Sequence, residues 1–312
     1  MFMKEYYSKI KTKVHRKFEA FCENKLNNKC NMYHVINKNV KHEILLSQCY
    51  EWLSNKYSKV ISDGVCINEK PKKSNYIWIN WFQGEENAPD LVKACIKSIR
   101  KYFPDREIIV LSDDNISKYV EFPDFIYEKR KRNIIGSAHY SDLLRLELLC
   151  KYGGLWVDAT VLCTSPDLLN SIENNRLFVF KQMDLTRKDI QSVVASNWCI
   201  YAWTNQRILL LTRELLYQYW SEFDYTANYF IFHLFFSMST KRYNDDWERV
   251  PFYNNHSPHI LQFELGKPFS EFRWKEIIKM SDFHKLNHHN DYSKCNGSFY
   301  KKIIDEYIQN SR

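Results

Sequence analysis

Along the first 70 residues apolar side chains recur at helical spacing. Tyr6, Ile10, Val14 and Phe18 fall every four residues, while Lys9, Lys11, Lys13, Arg16 and Lys17 take the other faces. The pattern predicts an amphipathic helix with a cationic side, which suits either an anionic lipid surface or a solvated face on a packed helix. A second helical segment over 44–57 runs into the polar, Pro-containing stretch 68–75, which reads as a boundary. Beyond it, strands alternate with helices. Residues 76–81 and 107–111 are short β-rich runs, and between them 89–102 sets Leu91, Cys95 and Ile99 at four-residue spacing. Strand, helix, strand in that order predicts a βαβ unit and a parallel sheet.

A polar helix near 115–120, a basic loop at 128–132 and a strong helix over 137–152 come next. Gly153-Gly154 ends that helix, since glycine accepts φ > 0 and close backbone approach. A strand over 155–161 leaves at once, followed by a helix at 166–173, a strand at 177–180 and helices over 205–223 and 228–238. Shorter helices and loops complete the chain, without internal repeats. The reading is an α/β fold in three parts: a basic helical segment 1–72, a main domain 73–290 and a C-terminal helix 291–312.

Composition narrows the classes. With 45% hydrophobic residues, 7 Gly and 8 Pro in 312, collagen-like and wholly disordered chains are excluded. The net charge of +8 is local: residues 1–75 hold 15 Lys+Arg against 7 Asp+Glu, and the remainder balances at 30 against 30. A basic end on a neutral body points to an anionic surface. Positive charge does not track an aromatic-studded sheet and no recognition module is visible, so nucleic acid is not an expected partner. The longest apolar run, 229–236, is far short of the roughly 20 residues that span a bilayer. Nine cysteines without a C-x-x-C pair read as reduced, mostly buried thiols. Trp198, Trp203, Trp220 and Trp247 suit either a core or a sugar-stacking acceptor surface, with the core favoured for most.

Chemistry concentrates around the double glycine. Asp142 and Arg145 lie three apart on a helix otherwise filled with leucines, so two charges share one face of a mostly buried element. Left unpaired they are expensive; they either satisfy each other or open on a site where Asp142 accepts from hydroxyls and Arg145 donates to hydroxyls or phosphate. Asp158 follows the apolar run Leu155-Trp156-Val157, at the carboxyl end of a strand where ligands of open α/β sheets gather. His256 with His259, and His288 with His289, lack the Cys pair or H-E-x-x-H that zinc needs.

The run A-H-Y-S-D-L-L-R-L-E-L-L-C-K-Y-G-G-L-W-V-D-A-T over 138–160 resembles the sugar-binding DXD region of glycosyltransferases, A-x-x-S-D-x-x-R-x-x-x-L-x-x-x-G-G-x-Y/W-x-D-x-D. Residues 77–99, Ser257-Pro-His-Ile-Leu261 and His284-Lys-Leu286 extend the likeness to bacterial capsular polysaccharide synthesis proteins related to that group. The resemblance implies a GT-A type, Rossmann-like nucleotide-sugar-binding core with a helical N-terminal segment and mostly helical C-terminal additions. It implies transfer of a sugar from a nucleotide diphosphate donor to a hydroxyl of a lipid-linked capsular or surface glycan, with retention of anomeric configuration. A non-catalytic glycan-binding or scaffold protein is the alternative.

By the same likeness Asp142, Arg145 and Asp158 are the catalytic set, the first two holding sugar hydroxyls and Asp158 contacting ribose and metal-diphosphate. Ser141, Trp156 and Thr160 support the donor; Asn80, Trp81, Gln83, Ser112 and Asp113 form the base edge; His284 and Lys285 face the diphosphate. The implied cofactor is Mn²⁺ or Mg²⁺ held through Asp158. Thr160, however, stands where many relatives carry the second acid, and a hydroxyl is a poor ligand for a hard divalent ion. The expected location is the cytoplasm, peripheral at the inner face of the plasma membrane, with residues 1–30 on anionic lipid.

Overall fold

The computed structural model describes residues 38–67, 69–182, 192–292 and 295–309. The cationic helix expected from Tyr6 to Phe18 lies outside the described residues. The described chain opens with α1 (Lys38–Lys56) and α2 (Ser58–Asp63), and Leu46, Leu53 and Tyr57 enter the main core. After the polar stretch, β1 (Tyr76–Asn80), α3 (Asp90–Tyr102) and β2 (Glu107–Leu111) form the expected unit, with β1 and β2 parallel and Ile79 opposite Val110. The ends of α3 fit the helix dipole: Pro89 precedes the first turn, Asp90 sits in it, and Arg100 and Lys101 occupy the last.

Two local expectations change here. The polar helix near 115–120 is a single 3-10 turn, Ile116–Lys118. The basic loop at 128–132 is instead the end of α4 (Asp124–Lys131). Lys129 is buried because its ammonium donates to the carbonyls of Trp220 and Phe223 and pairs with Asp224 at 2.9 Å. A lysine with three partners can leave water; a run of charges in sequence does not disclose that.

The long helix α5 (Ser137–Lys151) stops where predicted. Gly153 and Gly154 take φ of 68° and 98°, and the chain reverses into β3 (Gly154–Asp158), parallel to β1. A Cβ on Gly154 would stand 2.4 Å from the Tyr76 carbonyl oxygen, so the strands meet this closely only because that residue has no side chain. The strand expected over 155–161 breaks at Ala159 and Thr160, and β4 (Val161–Cys163) leaves the main sheet. After α6 (Asp167–Ile172) come β5 (Leu177–Lys181) and β6 (Ala195–Ala202), giving a five-stranded sheet in the order β2-β1-β3-β6-β5. Strand β6 runs antiparallel to both neighbours. Its Ser196-Asn197 start hides it from an alternation search.

Alternation sorts the sheet's side chains onto two faces. Trp78 and Trp156 pack on one side with α5, α7 (Arg207–Glu222) and α8 (Ile231–Arg242), while Ile77, Ile79, Leu155 and Val157 pack on the other with α3 and α6. Here the α/β, Rossmann-like expectation holds: three parallel strands covered on both faces by helices. A short α9 (Asn244–Glu248) and α10 (Glu271–Met280) follow, then β7 (Phe283–Lys285), which pairs antiparallel with β4. Finally α11 (Phe299–Ile304) buries Phe299, Ile303 and Ile304 beside Leu91 and Cys95 of α3. No described helix is long and apolar enough to cross a membrane.

Within β7, His284 is fully buried, with Nε2 3.1 Å from Thr164 Oγ1, and burial pushes its pKa down to about 4. The unfolded chain binds a proton there below about 6.5 while the folded chain stays neutral to about 4, so its stabilising contribution, whole above 6.5, is lost as pH falls through that window. Chemical denaturation between pH 7 and 4 is expected to show a loss of about 1.4 kcal/mol per pH unit from this residue. His284→Gln should flatten the slope by that amount, and an unchanged slope contradicts the assignment. Separately, Gly154→Ala is expected to cost at least the 1–3 kcal/mol typical of a disfavoured φ, lowering the denaturation midpoint. A wild-type midpoint would show that the strand junction tolerates a side chain.

Candidate active site

Strands β1, β2 and β3 end level, with Asn80 opposite both Leu111 and Asp158, and beyond their carboxyl ends lies a cavity of about 1630 Å³. Ligand pockets of roughly 300–1,000 Å³ hold one small molecule, so this one has room for a two-part substrate. Its polar wall is built by three elements. Helix α5 brings Asp142 and Arg145, one turn apart; the break after β3 brings Asp158 and Thr160; β7 brings Lys285.

These groups form a chain of alternating charge. Arg145 Nη1 donates to Asp142 Oδ1, and Nη2 lies 3.4 Å from Asp158 Oδ1 and 3.5 Å from Ser141 Oγ. Lys285 Nζ stands 3.0 Å from Asp158 Oδ2 and donates to Thr160 Oγ1 at 2.6 Å. Trp156 Nε1 donates to Asp158 Oδ1 at 3.1 Å, and Asn197 Nδ2 to Asp142 Oδ1 at 2.9 Å. The Arg145 guanidinium lies 5.0 Å from the Trp156 ring centre and 5.6 Å from that of Phe232, which fixes its plane. Burial alone would raise the Asp158 carboxyl, but the Lys285 ammonium and the Arg145 guanidinium outweigh it and hold the pKa below the ordinary value.

Neutral polar groups complete the wall. His233, on α8, is pushed down to a pKa of about 4 by burial, so it is a neutral imidazole at pH 7. Asn80 Oδ1, Trp81 Nε1 and His233 Nδ1 are buried with no hydrogen-bond partner among the described residues. All three residues line the cavity, so these unpaired atoms lie in its wall. Trp198 also lines it, stacked on Phe180 at 4.6 Å with Nε1 on Asn255 Oδ1 at 2.8 Å. Trp220 is buried in the core, while Trp203 and Trp247 pack against it at its margins.

The residues singled out from sequence therefore divide. Asn80, Trp81, Ser141, Asp142 and Arg145 converge on the cavity with Trp156, Asp158, Thr160 and Lys285. Gln83, Ser112, Asp113 and His284 do not line it. Gln83 and Asp113 are exposed outside it, Ser112 is buried in the turn that its amide forms with Asn115, and His284 points into the interior because strand neighbours face opposite sides. Sequence reading missed His139, Asn197 and His233. The one signal for His233 was a lone imidazole inside the apolar run 229–236; for Asn197 there was none.

The divalent cation implied by the resemblance fits this donor set poorly. Asp158 is the carboxylate at the corner, and both its oxygens already face cationic groups. Thr160, in place of a second acid, accepts from the same ammonium. Among the described residues no group of three or more His, Cys, Asp or Glu side chains is arranged to hold a metal. A divalent ion beside Asp158 meets like charge on both sides.

Comparison with known proteins adds family to geometry. One stretch of 92 residues is 34% identical to "O-glycosyltransferase braB" of Annulohypoxylon truncatum; it covers 27% of this chain and 22% of that relative. The solved structure "PaToxG Glycosyltransferase" overlaps 78% of this chain and 95% of its own at 14% identity, with a TM-score of 0.35, too distant a likeness to build on. Residues 29–303 match the family model described as capsular polysaccharide synthesis protein. That match takes in α5, β3 and β7 with every member of the charge chain, and the chain belongs to the capsular polysaccharide synthesis protein family.

Proposed function

We propose that the protein is a glycosyltransferase that moves a sugar from a nucleotide diphosphate donor to a hydroxyl of a capsular or surface glycan intermediate. The observation that carries this reading is the convergence of Asp142, Arg145 and Asp158 with Lys285 on one wall of a single cavity at the sheet's carboxyl edge. The name of the relative matched over 92 residues supports it.

The chemistry follows from the wall. The anomeric C–O bond to the diphosphate breaks, its electron pair leaves on the phosphate oxygen, and the acceptor oxygen forms the new bond. Asp142, held by Arg145 and Asn197, accepts from donor sugar hydroxyls; Arg145 and Lys285 supply the positive charge that the departing diphosphate needs. Both carboxylates at this end are paired with cations, so neither is a free base. This supports retention, in which the departing phosphate oxygen takes the acceptor's proton. The other arm of the cavity, lined by α1 and by Tyr229, which is 66% exposed, is the acceptor side, where a flat ring can stack on a sugar. A lipid-linked acceptor suits the basic charge in residues 1–75, since anionic membranes draw such segments.

A panel of nucleotide sugars, scored for nucleotide release and transfer, tests the reading. Turnover with at least one donor is expected. Asp142→Asn should lower kcat/KM by about 10- to 100-fold, the worth of one hydrogen bond to a charged group at about 1.5–3 kcal/mol. Silence across the whole panel favours the scaffold alternative. For the membrane partner, replacing Lys9, Lys11, Lys13 and Lys17 by Gln should weaken binding to phosphatidylserine vesicles while donor hydrolysis persists. Vesicle binding that ignores these substitutions removes the N-terminal segment from that role.

A further inference from the structure

In the break between β3 and β4 the Lys285 ammonium lies between Asp158 and Thr160, and by the resemblance Thr160 takes the place of the second acid of a metal-dependent site. Two carboxylates with one divalent cation sum to zero charge; so do Asp158 and Lys285 with no cation at all. Adding a divalent ion to the pair present leaves two excess positive charges within reach of Arg145. Two independent features of the sequence made the exchange, a hydroxyl at Thr160 and a base at Lys285, and the structure joins them in a 2.6 Å hydrogen bond.

Lys285 is also held in place. Its backbone pairs with Val161 across the β4–β7 ladder, and the next amide, Leu286 N–H, donates to the Thr160 carbonyl at 2.9 Å. The side chains of Lys285 and Asp158 are 22% and 27% exposed, open to a ligand and partly withdrawn from water. Asp158 and Thr160 use two of the ammonium's three donors, which leaves one for a phosphate oxygen. The same cavity is lined by Arg145 and by His288, whose pKa is lowered by burial, with His289 and Lys285 adding to the shift. No second carboxylate contacts Lys285 among the described ion pairs.

We infer that Lys285, oriented by Asp158 and Thr160, is the diphosphate-binding cation of this site, and that nucleoside diphosphates bind here without a divalent metal. The inference deepens the proposed transferase, resting on its donor class while departing from the cation that the resemblance implies. In transfer, the Lys285 ammonium donates a hydrogen bond to the phosphate oxygen that receives the electron pair of the breaking anomeric bond. The charge it balances is the one that develops on that oxygen.

Calorimetric titration with UDP, GDP, ADP and CDP tests this on the full chain, in EDTA and in millimolar Mn²⁺. At least one diphosphate is expected to bind in EDTA with an affinity that Mn²⁺ leaves within about twofold. Lys285→Met should weaken it about tenfold or more, the scale of one charge-assisted hydrogen bond, and Lys285→Arg should restore most of the loss. The double change Thr160→Asp with Lys285→Ala rebuilds an acid pair and should make binding depend on Mn²⁺. Binding that vanishes in EDTA and returns with Mn²⁺ in the wild-type chain overturns the lysine assignment and leaves the transferase standing. Metal-free diphosphate binding with no nucleotide released from any sugar donor does the reverse, and a chain that binds no diphosphate under either condition overturns both.

Discussion

An arginine that is 4% exposed and an aspartate that is 7% exposed can remain beside a leucine-filled helix only if each has opposite charge in contact. That constraint organises the molecule's functional edge. Arg145 is bracketed by Asp142 and Asp158, and Asp158 by Arg145 and Lys285, so charge alternates along a line from α5 to β7. Breaking a buried pair of this kind typically costs about 3–5 kcal/mol, a large fraction of a domain's net stability. The elements that carry the four residues must therefore hold their relative positions before any substrate arrives.

Two pieces of backbone do that holding. The turn at Gly153 and Gly154 sets α5 against β3, and its positive φ values with the close approach to Tyr76 admit no other residue type without strain. The β4–β7 ladder sets Lys285 against Thr160, although 125 residues separate them in sequence. Strand β4 is only three residues long, and its departure from the main sheet is what turns Asp158 and Thr160 toward the cavity. Pre-organised charge is the feature that electrostatic catalysis requires, because nothing has to reorient as charge develops.

Much of this edge was legible in the chain. The helix-glycine-glycine-strand grammar gave α5 to within one residue and the start of β3, though not the break at Ala159 that ends it, and the i, i+3 spacing placed Asp142 and Arg145 on one face. What escaped was whatever depends on partners distant in sequence. Strand β7 is three residues, too short to show a period, so nothing local marked Lys285 as a strand residue facing Thr160. His284 and Lys285 looked equivalent as neighbours, yet strand alternation sends one into the core and the other to the cavity. Strand β6 carries Ser196 and Asn197 side by side near its start, Asn197 bonding to Asp142, and two adjacent polar residues erase the alternation that would have revealed the element. Lys129 read as part of a loop for a similar reason: its acceptors lie at the C-terminal end of α7, 91 and 94 residues away.

The electrostatics of the cavity are consequently a matter of geometry more than of titration. Burial keeps His233 neutral down to a pKa of about 4, and the two flanking cations keep Asp158 ionised although burial opposes it. A guanidinium does not lose its proton in proteins. At neutral pH, then, His233 is an uncharged imidazole and Asp158 a carboxylate, and the hydrogen-bonding roles of these two groups are set by their surroundings. Here the positive charge is covalently part of the fold, and its position is secured by the same β4–β7 ladder that joins the C-terminal third of the chain to the sheet's functional edge.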